Sequence, residues 1–99
     1  MIAAPPPARV QVTAHEFNFV LSRQTVRPGP AIFELVNFGM DAHDLRLQRK
    51  GAKHIAGTPA VLAGRHFELK VKLVKGRYTL WCSLADHRAR GMVATLVVK

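Results

Sequence analysis

The sequence predicts an all-β protein, an antiparallel Greek-key β-sandwich of about seven or eight strands. Three observations point there: hydrophobic side chains alternate with period two in several short runs, turn residues stand between those runs, and no segment holds a long helical period. A length of 99 residues suits one domain. A hydrophobic content of 48% suits a packed core and excludes a disordered chain.

The elements follow in chain order. Residues 1–8 form a Pro-rich N-terminal extension in which Pro5-Pro6-Pro7 is a short stiff spacer, and residues 9–99 form the single domain. "VQV" at 10–12 is strand-like, and "EFNFVL" at 16–21 places Phe17, Phe19 and Leu21 on one face. "RPGP" at 27–30 is a turn, and "IFELVNF" at 32–38 is the next strand. "NFGMDA" at 37–42 is a loop containing Gly39, after which "HDLRLQR" sets His43, Leu45 and Leu47 on one face against Asp44, Arg46 and Gln48. Residues 51–64 carry Gly51, Gly57, Gly64 and Pro59, an irregular excursion with room for one helical turn. "HFELKVKL" at 66–73 alternates cleanly, with Phe67, Leu69, Val71 and Leu73 on the buried side. "KG" at 75–76 turns the chain into "GRYTLWCS", where Tyr78, Leu80 and Cys82 share a face opposite Arg77 and Thr79. "VATLVV" at 93–98 closes the domain.

Charge and cysteine count narrow the function. Fifteen Lys and Arg against six Asp and Glu give a formal charge of +9. Such an excess suits an anionic partner, an acidic protein or an anionic membrane surface. Nucleic acid is disfavoured, because the bases are scattered rather than run together and exposed aromatics for base stacking are scarce. The single cysteine excludes an internal disulfide, a four-cysteine zinc site and a copper pair bridged by two thiolates. No apolar run approaches the roughly 20 residues of a membrane span. The first residues lack the basic and apolar regions of a signal peptide, so none is expected in this chain.

The chemistry concentrates in "WCSLADHRARGM" at 81–92, where Cys82, His87 and Met92 follow one another at five-residue intervals. A lone inward cysteine is ordinarily a small buried hydrophobe, and a lone methionine ordinarily fills core. Together with two imidazoles they make a different object. A thiolate and two imidazoles with a weak axial thioether suit copper in both of its oxidation states. The alternation turns both Cys82 and His43 inward at strand ends, which makes His43 the candidate for the donor the loop lacks. Met40 is a second thioether near the same end. His15, His54 and His66 have no matching partners and read as surface or turn residues.

The motifs "NFGMDAHDL", "YTLWCSLADHRARGM" and "VATLVV", with the spacing C-x4-H-x4-M, resemble those of the cupredoxins, the blue-copper family. The upstream stretch at 10–39 is similar to the family's first strands, so the resemblance covers most of the chain. It implies one copper ion held by His43, Cys82 and His87 in the equator and by Met92 on the axis. It implies that Asp44, standing where the family commonly has Asn, ties its loop to the cysteine loop by hydrogen bonds, with Ser83 as partner. It further implies an electron carrier and not an enzyme, passing one electron between redox partner proteins through the exposed edge of His87. The docking patch would include Met40, Leu84 and Ala85 beside Gly39 and Gly91, with Arg88 and Arg90 steering acidic partners or anionic headgroups. A periplasmic or cell-surface location follows from the same resemblance, with the Pro-rich start as part of a tether. The alternative is a copper carrier or chaperone domain in copper delivery, with no electron-transfer role.

Overall fold

The computed structural model describes residues 6–99, so the first five residues of the predicted extension lie outside the described part. Nine strands follow in order: β1 (Ala8–His15), β2 (Asn18–Leu21), β3 (Thr25–Val26), β4 (Gly29–Asn37), β5 (Arg46–Arg49), β6 (Ala56–Gly57), β7 (His66–Leu73), β8 (Gly76–Trp81) and β9 (Val93–Val98). They form two sheets, β2-β1-β4-β7 and β3-β9-β8-β5-β6. The described residues contain no helix. β1 starts at Ala8, one residue inside the predicted extension, and Arg27 donates to the Pro6 carbonyl at 2.5 Å.

Alternation builds the interior. β1 turns Ala8, Val10, Val12 and Ala14 inward and the residues between them outward. β4 lies between two neighbours and reads as a nearly continuous apolar run, as a strand covered on several sides must. Phe33, Leu35, Leu45, Leu80 and Leu96 are completely buried. Each such side chain contributes about 1.5–3 kcal/mol of transfer free energy.

Three features depart from the sequence reading. Two pairings are parallel, β1 with β4 and β3 with β9, because the chain crosses to the second sheet as β3 before returning as β4. Residues 51–64 hold no helical turn. Instead β6 pairs with β5, Val61 bridges His43, and the Thr58 hydroxyl accepts the Leu45 N–H at 3.0 Å. Phe67, expected inside, is 39% exposed, and Leu69 and Val71 are only half-buried, because β7 ends its sheet with no strand beyond it. The uncovered side is a cleft of about 430 Å³ walled by Leu47, Leu69, Val71, Leu73 and Tyr78 among others, and no candidate metal donor lines it.

The registers bring strand ends to one pole. Ala14 pairs with Asn37 where β1 and β4 finish, and Trp81 pairs with both Arg46 and Val93 where β8 finishes and β5 and β9 begin. The connections leaving that pole carry all the candidate donors.

Candidate metal centre

Cys82 leaves the end of β8 and is completely buried. Its N–H donates to the Met92 carbonyl at 3.2 Å, so the ladder between β8 and β9 continues across the mouth of the connecting loop. Inside the loop the backbone winds tightly. The N–H of His87 donates to the Leu84 carbonyl, that of Arg90 to Asp86, and that of Met92 back to His87, each at 3.1 Å. Two residues absorb the winding in left-handed conformations, Ala85 at φ +45° and Gly91 at φ +122°. A Cβ at Gly91 would also lie 3.0 Å from the Phe17 carbonyl, so glycine serves both shape and room there. The result turns His87 back over Cys82, with Nδ1 3.5 Å from Sγ.

His43 arrives from the other side. It precedes β5 and is fixed by two backbone bonds to Val61, 3.1 Å and 2.7 Å long. Its ring is fully buried, 4.9 Å from that of His87 between centroids. Its Nε2 lies 2.5 Å from Glu16 Oε2, while Nδ1 is buried with no hydrogen-bond partner. One ligand atom each from His43, Cys82 and His87 lies within 4.8 Å of the others, and all three residues are buried. A buried nitrogen left unpaired costs about 1–3 kcal/mol, so the cluster is one that a cation would complete. Burial pushes the Cys82 thiol above its usual range; a coordinated metal offsets this by deprotonating the thiol. One thiolate and two imidazoles, with no carboxylate among them, fit a single copper ion.

Of the two thioethers, Met92 is completely buried with Cys82 in the core and bonded through its backbone to both Cys82 and His87. Met40 is 86% exposed and therefore outside the buried cluster. Asp44 was expected to face outward with Arg46 and Gln48, yet it is 1% exposed. The start of the cysteine loop, at Ser83, covers its side of the segment. The Asp44 carboxylate accepts the Ser83 N–H at 2.7 Å and the Ser83 hydroxyl at 2.5 Å, and Arg46 Nη2 lies 3.3 Å away. The histidine segment and the cysteine loop are thus tied together by the pair Asp44 and Ser83.

The sequence reading missed two residues. Asn37 is buried at the end of β4; its Nδ2 donates to the carbonyls of Asp41 at 2.8 Å and Val61 at 2.9 Å, and its Oδ1 accepts the Gly39 N–H at 2.8 Å. An Asn two residues before a glycine is an Asx-turn signal that could have revealed it. Glu16 holds His43 by one oxygen and accepts the Met40 N–H with the other. Met40's N–H, and then His43, hold its carboxyl below the usual range. No spacing rule ties Glu16 to a residue so far along the chain.

The residues expected to form a docking patch lie on the same pole. Met40, Ala85, Arg88 and Arg90 are exposed and Leu84 is half-buried. The Arg88 guanidinium lies 4.6 Å from the Trp81 ring centroid. Arg90 donates to Asp86 at 2.7 Å and lies over Phe17 at 5.1 Å. His87 Nε2 faces Asp41 Oδ2 at 3.6 Å. His15, His54 and His66 are exposed and stand outside the cluster.

No family profile matches the chain, and no curated protein matches it by sequence. Solved structures do. Auracyanin A, a "blue" copper protein from Chloroflexus aurantiacus, superposes with a TM-score of 0.80 at 17% identity, over 95% of this chain and 100% of that one. Dithionite-reduced auracyanin from Roseiflexus castenholzii gives 0.78 at 17% identity, over 96% and 99%. A rusticyanin variant structure gives 0.74 at 19% identity, over 96% and 80%. A multicopper oxidase also matches, with this chain spanning 41% of it. Two sheets in this order, and superposition of nearly the whole chain on auracyanin and rusticyanin, lead to one conclusion: the chain has the cupredoxin fold.

Proposed function

We propose that this chain binds one copper ion through His43, Cys82, His87 and Met92 and carries one electron between redox partner proteins. The observation that carries the reading is the buried cluster of His43, Cys82 and His87, with His43 Nδ1 unpaired inside it. Bound copper supplies a one-electron couple. The chain supplies a fixed shell: His43 on its bridge to Val61, Cys82 and Met92 across one backbone bond, and the Asp44–Ser83 tie between the two segments. A shell held this way rearranges little when the charge at its centre changes. Complete burial of Cys82, His43 and Met92 keeps water from it.

His87 is the route outward, because its side chain is the one of the four with an exposed edge, 8% of its surface. Around that pole Phe38, Met40 and Leu62 are large apolar side chains left in solvent, as a docking surface requires. With a net charge of +9, the complementary partner is an acidic redox protein or one held at an anionic membrane surface. A periplasmic or other extracytoplasmic setting agrees with this reading. Among the described residues no helix is long and apolar enough to cross a membrane.

Copper delivery is the rival use of such a site. A delivery domain must release its ion readily, and donors buried behind a hydrogen-bonded loop oppose release.

Adding Cu(II) to the purified protein should give an intense blue or green colour, since a short copper–thiolate bond absorbs strongly by charge transfer. Cys82→Ser should abolish it. A wild-type protein that binds copper with only a faint, square-planar type of spectrum would overturn the reading.

A further inference from the structure

We propose that Glu16 is a positioning residue of the copper site, which fixes the tautomer of His43 and lends the centre a negative charge that favours Cu(II) over Cu(I). This rests on the copper reading above and extends it to a residue that touches no metal.

The geometry assigns the proton. An ionised carboxylate can only accept hydrogen bonds. Glu16 Oε2 stands 2.5 Å from His43 Nε2, so Nε2 carries a ring proton and Nδ1 is the nitrogen left for an ion. Nδ1 is the buried nitrogen without a partner, on a ring that belongs to the donor cluster. The opposite tautomer would put a hydrogen where the ion must sit and would leave the Glu16 carboxylate facing a second acceptor.

The carboxylate is itself held. Its Oε1 accepts the Met40 N–H, and its Oε2 occupies space that exists because residue 39 is glycine. A Cβ on Gly39 would fall 1.9 Å from Oε2. Glu16 is thus seated between the backbone of the 39–40 turn and the ring of His43, with its side chain one-quarter exposed. A backbone carbonyl in that seat would orient the ring equally well. A carboxylate adds a charge, which makes the imidazole a stronger donor and stabilises the more highly charged ion.

The test separates orientation from charge, and both from copper binding itself. Glu16→Gln keeps the shape and removes the charge, and it leaves one acceptor oxygen for two donors, the Met40 N–H and the His43 Nε2–H. Its Cu(II) affinity should fall by about tenfold or more, the range found for partners of ligand histidines, with a smaller loss for Cu(I). A tenfold change in that preference reads as a rise of about 59 mV in a one-electron potential. Gly39→Ala should move affinity and potential the same way by expelling the carboxylate, although Gly39 contacts no donor. In metal-free protein, nitrogen-15 ring spectra should place a His43 proton on Nε2 in wild type, and should show that preference lost in Glu16→Ala. A metal-free wild type with the proton on Nδ1 alone overturns the orienting role. Wild-type potentials in both Glu16→Gln and Gly39→Ala overturn the electrostatic one. Loss of the thiolate colour in wild type would instead sink the copper reading, and the metal-free spectra would still decide whether Glu16 sets the tautomer.

Discussion

The two halves of the site are built in different ways. Cys82, His87 and Met92 come from one segment that folds on itself through short-range hydrogen bonds. His43 comes alone and is held from a distance, by Val61 through the backbone and by Glu16 through the ring. The loop needs little beyond its own sequence to bring its donors near each other, even in an unfolded chain. The histidine half exists only when both sheets have assembled. Metal affinity from the loop is therefore shared by folded and unfolded states, and affinity added by His43 belongs to the folded state alone.

That contrast sets the largest expected effect. A ligand that binds the folded state about a thousandfold more tightly than the unfolded one stabilises it at saturation by about 4.1 kcal/mol. For a domain of this size each kcal/mol is worth roughly 4–8 °C, so saturating copper should raise the melting temperature by more than about 15 °C. His43→Ala should lose most of that rise while keeping some copper binding through the loop. Scanning calorimetry of wild type and variant, with and without copper, checks both. Equal melting of copper-free and copper-loaded wild type would mean that His43 is not a ligand and that the two halves are not joined through metal.

Next in size is the axial donor. Met92 is buried with its backbone bonded to Cys82 and His87, whereas Met40 is 86% exposed on the histidine side. Replacing an axial thioether with leucine removes a weak donor and makes the site more apolar, and both changes favour Cu(I). Met92→Leu should raise the potential clearly and keep the thiolate colour, and Met40→Leu should change it little. A redox titration of both beside wild type decides. A silent Met92→Leu with a large shift in Met40→Leu would move the axis to the other half of the site.

The same division explains what could be read in the sequence. The nearness of Cys82 and His87 was legible as a spacing, because it is a local property. The inward direction of Cys82 and His43 was legible from alternation, and both are completely buried. Alternation set Asp44 opposite His43 and Leu45 but could not show that the cysteine loop covers that side at Ser83. At Phe67, likewise, the period gives the face of a strand but not whether another strand will cover it. The two-residue strands β3 and β6 are too short to hold any period. Parallel pairing of β1 with β4 depends on where the chain crosses between sheets, which no local pattern encodes. Glu16 was invisible because its role is defined by residues 39, 40 and 43, which lie far along the chain from the β1–β2 turn that carries it.

The smallest effect concerns the surface of the loop half, where Arg88 and Arg90 look alike in sequence and differ in structure. Arg90 donates to Asp86 at 2.7 Å, a bond that holds the Asp86 carboxyl below its usual range, so the pair presents little net charge to an approaching partner. Arg88 has no carboxylate within ion-pair distance among the described residues and lies instead on Trp81. Its charge is free to act at a distance. Arg88→Gln should therefore slow reduction by an acidic partner a few-fold at low salt, and Arg90→Gln should slow it less. Both effects should shrink as the screening length falls from about 30 Å at 0.01 M to about 8 Å at 0.15 M. Because Arg88→Gln also gives up a contact with Trp81 worth about 0.5–1 kcal/mol, its melting temperature must be measured alongside, and the salt dependence then distinguishes lost steering from a loosened loop. If Arg90→Gln has the larger effect, Asp86 does not neutralise Arg90 when the partner arrives. Rates unchanged in both variants at low ionic strength would place docking on the histidine half, around Phe38, Met40 and Leu62, where the surface is apolar and ionic strength has little to screen.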